Sequence, residues 1–143
     1  MTIEGSGKVL VDTSVWIDFF RKKEPAYSIV SKLLPENRIV SIGIIIAELM
    51  QGAKSEKEVT VIKDFVHIFD FLPETPQLWV QAGELSFNIR RVGKTVGLSD
   101  CFIAVITKHY NASLLSLDKD FQIIKGEFDL SLLPIKETKG NLK

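Results

Sequence analysis

Short apolar runs of strand length alternate along the chain with longer segments in which apolar residues recur at helical spacing. The first run, at 9–12, ends on Asp12 and is typical of a strand covered on both faces of a parallel sheet. A similar run at 113–117 is followed by Asp118. The predicted strands are 9–12, 38–41, a less regular segment within 67–72, 113–117 and a short last one at 132–135.

Start and stop signals place helices between these strands. Ser14 is predicted to cap the first helix, because a serine hydroxyl can accept from a free amide of the first turn. Ser55 and Glu58 form a capping box before a later helix. The predicted helices are 15–22, 26–34 before Pro35, 44–50 before Gly52, 56–66, one from Thr75–Pro76 to about Gly93, and 100–110 after Ser99.

This alternation predicts an α/β fold with a central, mostly parallel sheet of four to five strands sandwiched between helices. The 143 residues, of which 45% are hydrophobic, are enough for one core and too few for two ordinary domains. We therefore expect a single domain over 1–143, with a flexible N-terminal extension at 1–7 and a flexible tail at 137–143.

Composition excludes several classes of protein. The apolar runs are shorter than the ~20 residues of a membrane span, and no secretory signal precedes the first strand, so a cytoplasmic protein is expected. Cys101 is the only cysteine and cannot form an internal disulfide. The formal net charge is zero, so any nucleic-acid binding must depend on local basic groups or bound cations.

Four acids stand in positions that call for an explanation. Asp12 and Asp118 follow predicted strands, at the sheet edge where α/β proteins bind ligands. Glu48 and Asp100 lie in apolar helical segments, where an ionised carboxylate is costly unless it is paired or binds a metal. Convergence of the four acids around hard divalent cations would explain all of them.

Each acid also has an ordinary explanation. Asp12 could cap the first helix, Asp100 could interact with the dipole of its helix, and Asp118 could belong to a turn. Only Glu48, within IIIAEL, lacks such an alternative. Asp18 fits a solvated helix position, and the set as a whole favours a site.

Four sequence motifs resemble those of the PIN-domain ribonucleases, and most closely those of the VapC-type toxins of prokaryotic toxin–antitoxin systems. The resemblance covers about 9–135. Its motifs are matched by VDTSVWIDFF with Asp12 and Ser14, IIIAELMQG with Glu48, GLSDCFIAVITKHY with Asp100, and LLSLDKDF with Ser116, Asp118, Asp120 and Phe121. Ser116 stands where the family commonly has threonine, and Cys101 where alanine is common.

The resemblance implies a PIN-like fold and an endoribonuclease that hydrolyses RNA phosphodiester bonds with Mg²⁺ or Mn²⁺. Metal binding and catalysis are assigned to Asp12, Glu48, Asp100 and Asp118. Supporting residues are Ser14 and Ser116, through hydrogen bonds to a carboxylate or the phosphate, and Asp120, which is expected to cap a turn rather than to bind metal.

The same resemblance implies a homodimer and an antitoxin partner, for which the apolar stripes of 26–34 and 56–66 are candidate surfaces. Alternatives remain open: a PIN nuclease of RNA maturation, a PIN scaffold, an aspartate-based phosphatase or phosphotransferase using Asp12, or a nucleotide-binding module. The phosphatase motif would need an acid where Ser14 stands, and no GxGxxG or Walker sequence is present.

The remaining candidates have simpler interpretations. Basic residues at 21–23 and at 90–94 end predicted helices, where cations are common, and RNA contact is the alternative. His67 and His109 do not have the spacing of zinc ligands. Trp16 and Trp79 are expected in the core or at a dimer interface.

Overall fold

A computed structural model describes residues 7–135 and contains a four-stranded, wholly parallel sheet in this part of the chain. The expected extension at 1–7 and tail at 137–143 lie outside it, apart from Gly7. The strands stand in the order β3-β2-β1-β4. Their bounds are β1 Val9–Val11, β2 Ile39–Ser41, β3 Asp70–Phe71 and β4 Ser113–Leu115.

The α/β prediction is therefore confirmed, with some differences in the strands. The segment predicted at 132–135 forms one isolated bridge, from Leu132 to Leu114, and not a strand. The strand predicted at 113–117 ends at Leu115, so that Asp118 stands three residues beyond its end.

Seven α-helices pack around the sheet in the described residues. Ser55 caps its helix as predicted, since its hydroxyl accepts from the Glu58 amide at 3.1 Å. The Glu58 carboxylate in turn accepts from the amide of Lys54. Thr75 likewise accepts from the Leu78 amide at 3.3 Å. The helices are α1 Thr13–Phe20, α2 Ala26–Leu33, α3 Gly43–Gln51, α4 Glu56–Ile68, α5 Pro76–Arg91, α6 Leu98–His109 and α7 Asp120–Glu127.

The predicted cap of α1 is wrong. The helix begins at Thr13, and the amides of Val15 and Trp16 already donate to the Asp12 carbonyl at 3.0 and 3.1 Å. Ser14 is therefore inside the first turn, and Asp12 occupies the N-cap position without a side-chain capping bond. The chain passes from strand to helix over a single residue.

Helix α7 was not predicted from the sequence. It is eight residues long and contains Gly126, a poor helix former. Its stability comes from packing, because Phe121 and Ile124, three residues apart on one face, are buried in the core. This helix places Asp118 and Asp120 together at its N-terminal end.

The core extends over both faces of the sheet, and all three residues of β1 are fully buried. Trp16 lies in the core, as predicted, and packs against Phe65 with ring centroids 4.8 Å apart. Trp79 instead remains 39% exposed while stacking on buried Phe102. Within residues 7–135, no helix combines the length and apolar character that a membrane crossing requires.

Candidate metal centre

The site begins where β1 and β4 end side by side. The Asp12 amide donates to the carbonyl of Leu115 at 2.9 Å, which joins the two strand ends. Ser116 follows directly, so both side chains emerge at the carboxyl edge of the sheet.

Asp12 is 5% exposed, and its carboxylate accepts hydrogen bonds from two hydroxyl groups. Ser14 and Ser116 donate to the same oxygen of Asp12, Oδ2, at 2.9 and 2.8 Å. Each hydroxyl also accepts a backbone amide, from Leu117 to Ser14 at 3.0 Å and from Asp118 to Ser116 at 3.0 Å. The two serines therefore fix the orientation of Asp12 and tie it to the segment after β4.

Burial raises the pKa of Asp12 above its ordinary value, although the hydrogen bonds from Ser116 and Ser14 act in the opposite direction. A nearby positive charge would stabilise the ionised form of such a buried carboxylate.

Glu48 lies on α3 and is half-buried. Its Oε1 accepts from the Thr13 hydroxyl at 2.6 Å, a short hydrogen bond to a charged acceptor. Thr13 was missed by the sequence analysis, although it lies between Asp12 and Ser14 in the first motif. Nothing in the sequence indicated that its partner would be 35 residues away.

Asp100 stands in the first turn of α6, among the other acids. Burial first, and then the nearby charges of Asp118, Asp12, Asp120 and Glu48, raise the pKa of Asp100 to about 7. The four carboxylates that surround it electrostatically include three of the predicted metal ligands. The fold thus places Asp12, Glu48 and Asp118 near enough for their charges to act on Asp100.

A tighter cluster lies within this group. Carboxylate oxygens of Asp100, Asp118 and Asp120 all lie within 4.8 Å of one another. The role of capping a turn, expected for Asp120, is filled by Asp118, whose Oδ1 accepts from the Asp120 amide at 2.9 Å. Asp120 itself is half-buried and directed to the cluster, because α7 starts at this residue.

This donor set fits a hard divalent cation. Mg²⁺ and Mn²⁺ prefer carboxylate oxygens, and the mutual repulsion that raises the pKa of Asp100 would be relieved by such an ion. Among residues 7–135, the ion pairs are Arg38–Glu36, Lys94–Glu127 and Lys108–Asp129, so no protein cation neutralises these acids.

The other sequence candidates lie elsewhere or have structural roles. Cys101 is buried beside Asp100. Burial, and after it the charge of Asp100, raise the pKa of its thiol to about 11. His109 packs edge-on against Tyr110, and His67 is exposed on α4. Arg91 lies over the Phe87 ring. Within residues 7–135, no basic residue of 21–23 or 90–94 forms an ion pair with an acid of the candidate site; Lys94 pairs with Glu127.

Comparisons with known proteins find curated VapC ribonucleases that are similar to most of this chain. A VapC ribonuclease of Mycobacterium bovis is 29% identical over 121 residues, which cover 81% of this chain and 90% of that protein. Ribonuclease VapC1 of Haemophilus influenzae is 29% identical over 122 residues, which cover 80% and 90%.

Solved structures show the same fold. The structure of VapBC-1 from Haemophilus influenzae superimposes with a TM-score of 0.69 and 26% identity, covering 87% of this chain and 96% of the other. VapBC2 from Rickettsia felis, bound to promoter DNA, gives a TM-score of 0.71 at 21% identity, covering 90% and 98%.

The family model of the PIN domain matches residues 9–127, which include all five acids of the candidate site. On that match, the chain belongs to the PIN domain family.

Proposed function

We propose that this protein is a metal-dependent endoribonuclease that hydrolyses RNA phosphodiester bonds in the cytoplasm, as the toxin of a toxin–antitoxin pair. The observation that carries the proposal is a group of acids in a PIN domain, in which carboxylate oxygens of Asp100, Asp118 and Asp120 lie within 4.8 Å of one another. The charges of Asp12 and Glu48 also act on Asp100. Such a site serves phosphodiester hydrolysis because two negatively charged groups, acids and phosphate, can meet only around cations.

The roles of the residues follow from their geometry. We assign the metal to Asp12, Glu48, Asp100 and Asp118, and we include Asp120 because its carboxylate lies within 4.8 Å of those of Asp100 and Asp118. Bound Mg²⁺ or Mn²⁺ would supply Lewis-acid activation of water and stabilise charge on the phosphate. Ser14 and Ser116 orient Asp12, and Thr13 orients Glu48.

The toxin role rests on the relatives. The two curated relatives are named VapC ribonucleases, and the solved complexes are VapBC assemblies. We therefore propose a cognate antitoxin as the protein partner, and a homodimer as the assembly. Apolar side chains exposed on α4, Val61, Val66 and Ile68, support a protein-binding face there. The predicted surface on α2 stays a prediction.

Other functions are supported less well by the site. Asp12 as a phosphatase nucleophile would have to be accessible, but it is buried and its Oδ2 accepts from two serine hydroxyls. A role in RNA maturation would use the same acids and differs only in the target.

The test of the proposed function is cleavage of RNA by the purified protein. We expect cleavage of single-stranded RNA with Mg²⁺ or Mn²⁺, because the acids need a cation to accept a phosphate. An excess of EDTA should abolish cleavage, and added Mn²⁺ should restore it. Equal cleavage in EDTA would contradict the proposal, provided that heat-inactivated protein is inactive.

A separate prediction concerns Thr13. Thr13→Val keeps the shape of the side chain but removes the hydrogen bond to Glu48. We expect the affinity for Mn²⁺ to fall about tenfold, the lower end of the range for residues that orient a metal ligand. Calorimetric titration measures this, with Thr13→Ser as the control that keeps the hydroxyl. Unchanged Mn²⁺ affinity in Thr13→Val would exclude the orienting role.

A further inference from the structure

A cavity of about 360 Å³ lies beside the metal centre, between α7 and the segment that follows Leu130. We call it the α7 pocket. Ser116 and Asp118 line it, and the same residues belong to the acid site through Asp12 and Asp100. A substrate phosphate at the acids would therefore place the adjoining part of the substrate at the mouth of this pocket.

The pocket has the size of a small-ligand site, since such pockets start at roughly 300 Å³. One wall is apolar and partly buried, and it is formed by Leu117, Leu132, Leu133 and Ile135. This wall offers a flat base a surface that excludes water on one side.

Polar side chains on or next to α7 also line the pocket. Gln122 is exposed, and its side-chain amide makes no hydrogen bond to any of residues 7–135. An amide group carries both donors and an acceptor, the combination that reads the edge of a base.

Two of these polar side chains are lysines and supply positive charge. Lys119 is exposed and takes part in none of the ion pairs formed within residues 7–135. The Lys125 ammonium donates to the Leu130 carbonyl at 2.8 Å and has further donors available. Lysine side chains beside a phosphodiester site are typical contacts of the RNA backbone.

We propose that the α7 pocket binds the nucleotide adjacent to the scissile phosphate of single-stranded RNA. The base lies against the apolar wall with its edge towards Gln122, and Lys119 contacts the neighbouring phosphate. Single-stranded RNA suits such a pocket because its bases are free to leave the stack and enter it. The inference rests on the proposed function and adds a subsite that selects the position of cleavage.

The test blocks the pocket without changing the acids. Gln122→Trp replaces an exposed helix residue and fills the cavity, and Lys119→Gln removes one charge. In the full chain carrying Asp100→Asn, which slows cutting, each change is expected to weaken binding of a fluorescent 12-nucleotide RNA about tenfold. Gln122→Trp does so through the lost base contact and Lys119→Gln through the lost phosphate contact. Fluorescence anisotropy measures this affinity.

The matched control is Lys63→Gln, because Lys63 is exposed on α4, beside the edge strand β3 and far in the sheet order from β4. Its affinity for RNA should not change. In the active protein, Gln122→Trp should raise KM more than it lowers kcat and should change which positions of the RNA are cut.

The outcomes separate the two proposals. Unchanged affinity and an unchanged cleavage pattern in Gln122→Trp would overturn the subsite even if the wild-type protein cuts RNA. An equal loss of affinity in Lys63→Gln would also overturn it, since the effect would then be one of general charge. Failure of the wild-type protein to cut RNA with Mn²⁺ would instead overturn the proposed function.

Discussion

Asp100→Asn is expected to lower the kcat for RNA cleavage at least about 100-fold, because metal ions stabilise the charge of such transition states by several kcal/mol. Asp100 belongs to the three-carboxylate cluster, and the charges of Asp12 and Glu48 also act on it, so its loss should weaken cation binding most directly. Asparagine keeps the size of the side chain and one oxygen, and removes the negative charge.

The same change should leave the fold intact. The pKa of Asp100 is raised to about 7, which means that its ionised form is disfavoured in the folded, metal-free protein. A neutral asparagine avoids that cost. The melting temperature of the metal-free variant at pH 8 should therefore equal or exceed that of the wild-type protein, so that lost activity cannot be attributed to unfolding.

Asp64→Asn is the matched control, since Asp64 is exposed on α4 and is not one of the acids that act on Asp100. It should cleave RNA at the wild-type rate. In cells, expression of the wild-type chain without a partner is expected to arrest growth, and expression of Asp100→Asn is not. Wild-type activity in Asp100→Asn would contradict the metal centre, and harmless expression of an active enzyme would favour RNA maturation over a toxin.

The parts of the site that the sequence could predict are those set by the order of strands. A short, continuous apolar run such as β1 is typical of a buried strand, and the acid that follows such a strand emerges at the carboxyl edge. Glu48 and Asp100 were singled out because a carboxylate in apolar surroundings contradicts the local pattern. These predictions rest on burial, which can be inferred directly from the pattern of apolar residues in the sequence.

The errors concern interactions between distant segments. Ser14 looked like a helix cap, but its hydroxyl is used by Asp12 and by the amide of Leu117, 103 residues away. Asp120 looked like a turn residue because α7 was not recognised, and α7 was not recognised because an eight-residue helix depends on tertiary packing. Thr13 and Glu48 likewise meet only in the folded chain.

The stability of the metal-free protein should depend strongly on pH. The pKa of Asp100 rises from its ordinary value of 3.8 to about 7 on folding, and the pKa of Asp12 rises as well. Between pH 4 and 7 the folded state therefore binds more protons than the unfolded state, and the free energy of unfolding falls as the pH rises. Above pH 7 the contribution of Asp100 becomes constant.

Divalent metal should reverse this dependence, because the cation binds the deprotonated carboxylates of the folded state. With Mn²⁺ at about 100 times its dissociation constant, the gain is about 2.7 kcal/mol, or roughly 10 °C in melting temperature for a chain of this length. The gain should be small at pH 5 and largest at pH 8.

Melting curves at pH 5, 6, 7 and 8, each with EDTA or Mn²⁺, measure both effects. Other titrating groups also contribute, so the informative quantity is the difference between the wild-type protein and Asp100→Asn. In EDTA the variant should lose less stability from pH 5 to 7, and at pH 8 it should gain less from Mn²⁺. Parallel melting curves for the two proteins would show that neighbouring charges do not disfavour the ionised form of Asp100 and that the metal does not neutralise it. The cluster would then lack the charge repulsion on which its cation binding depends.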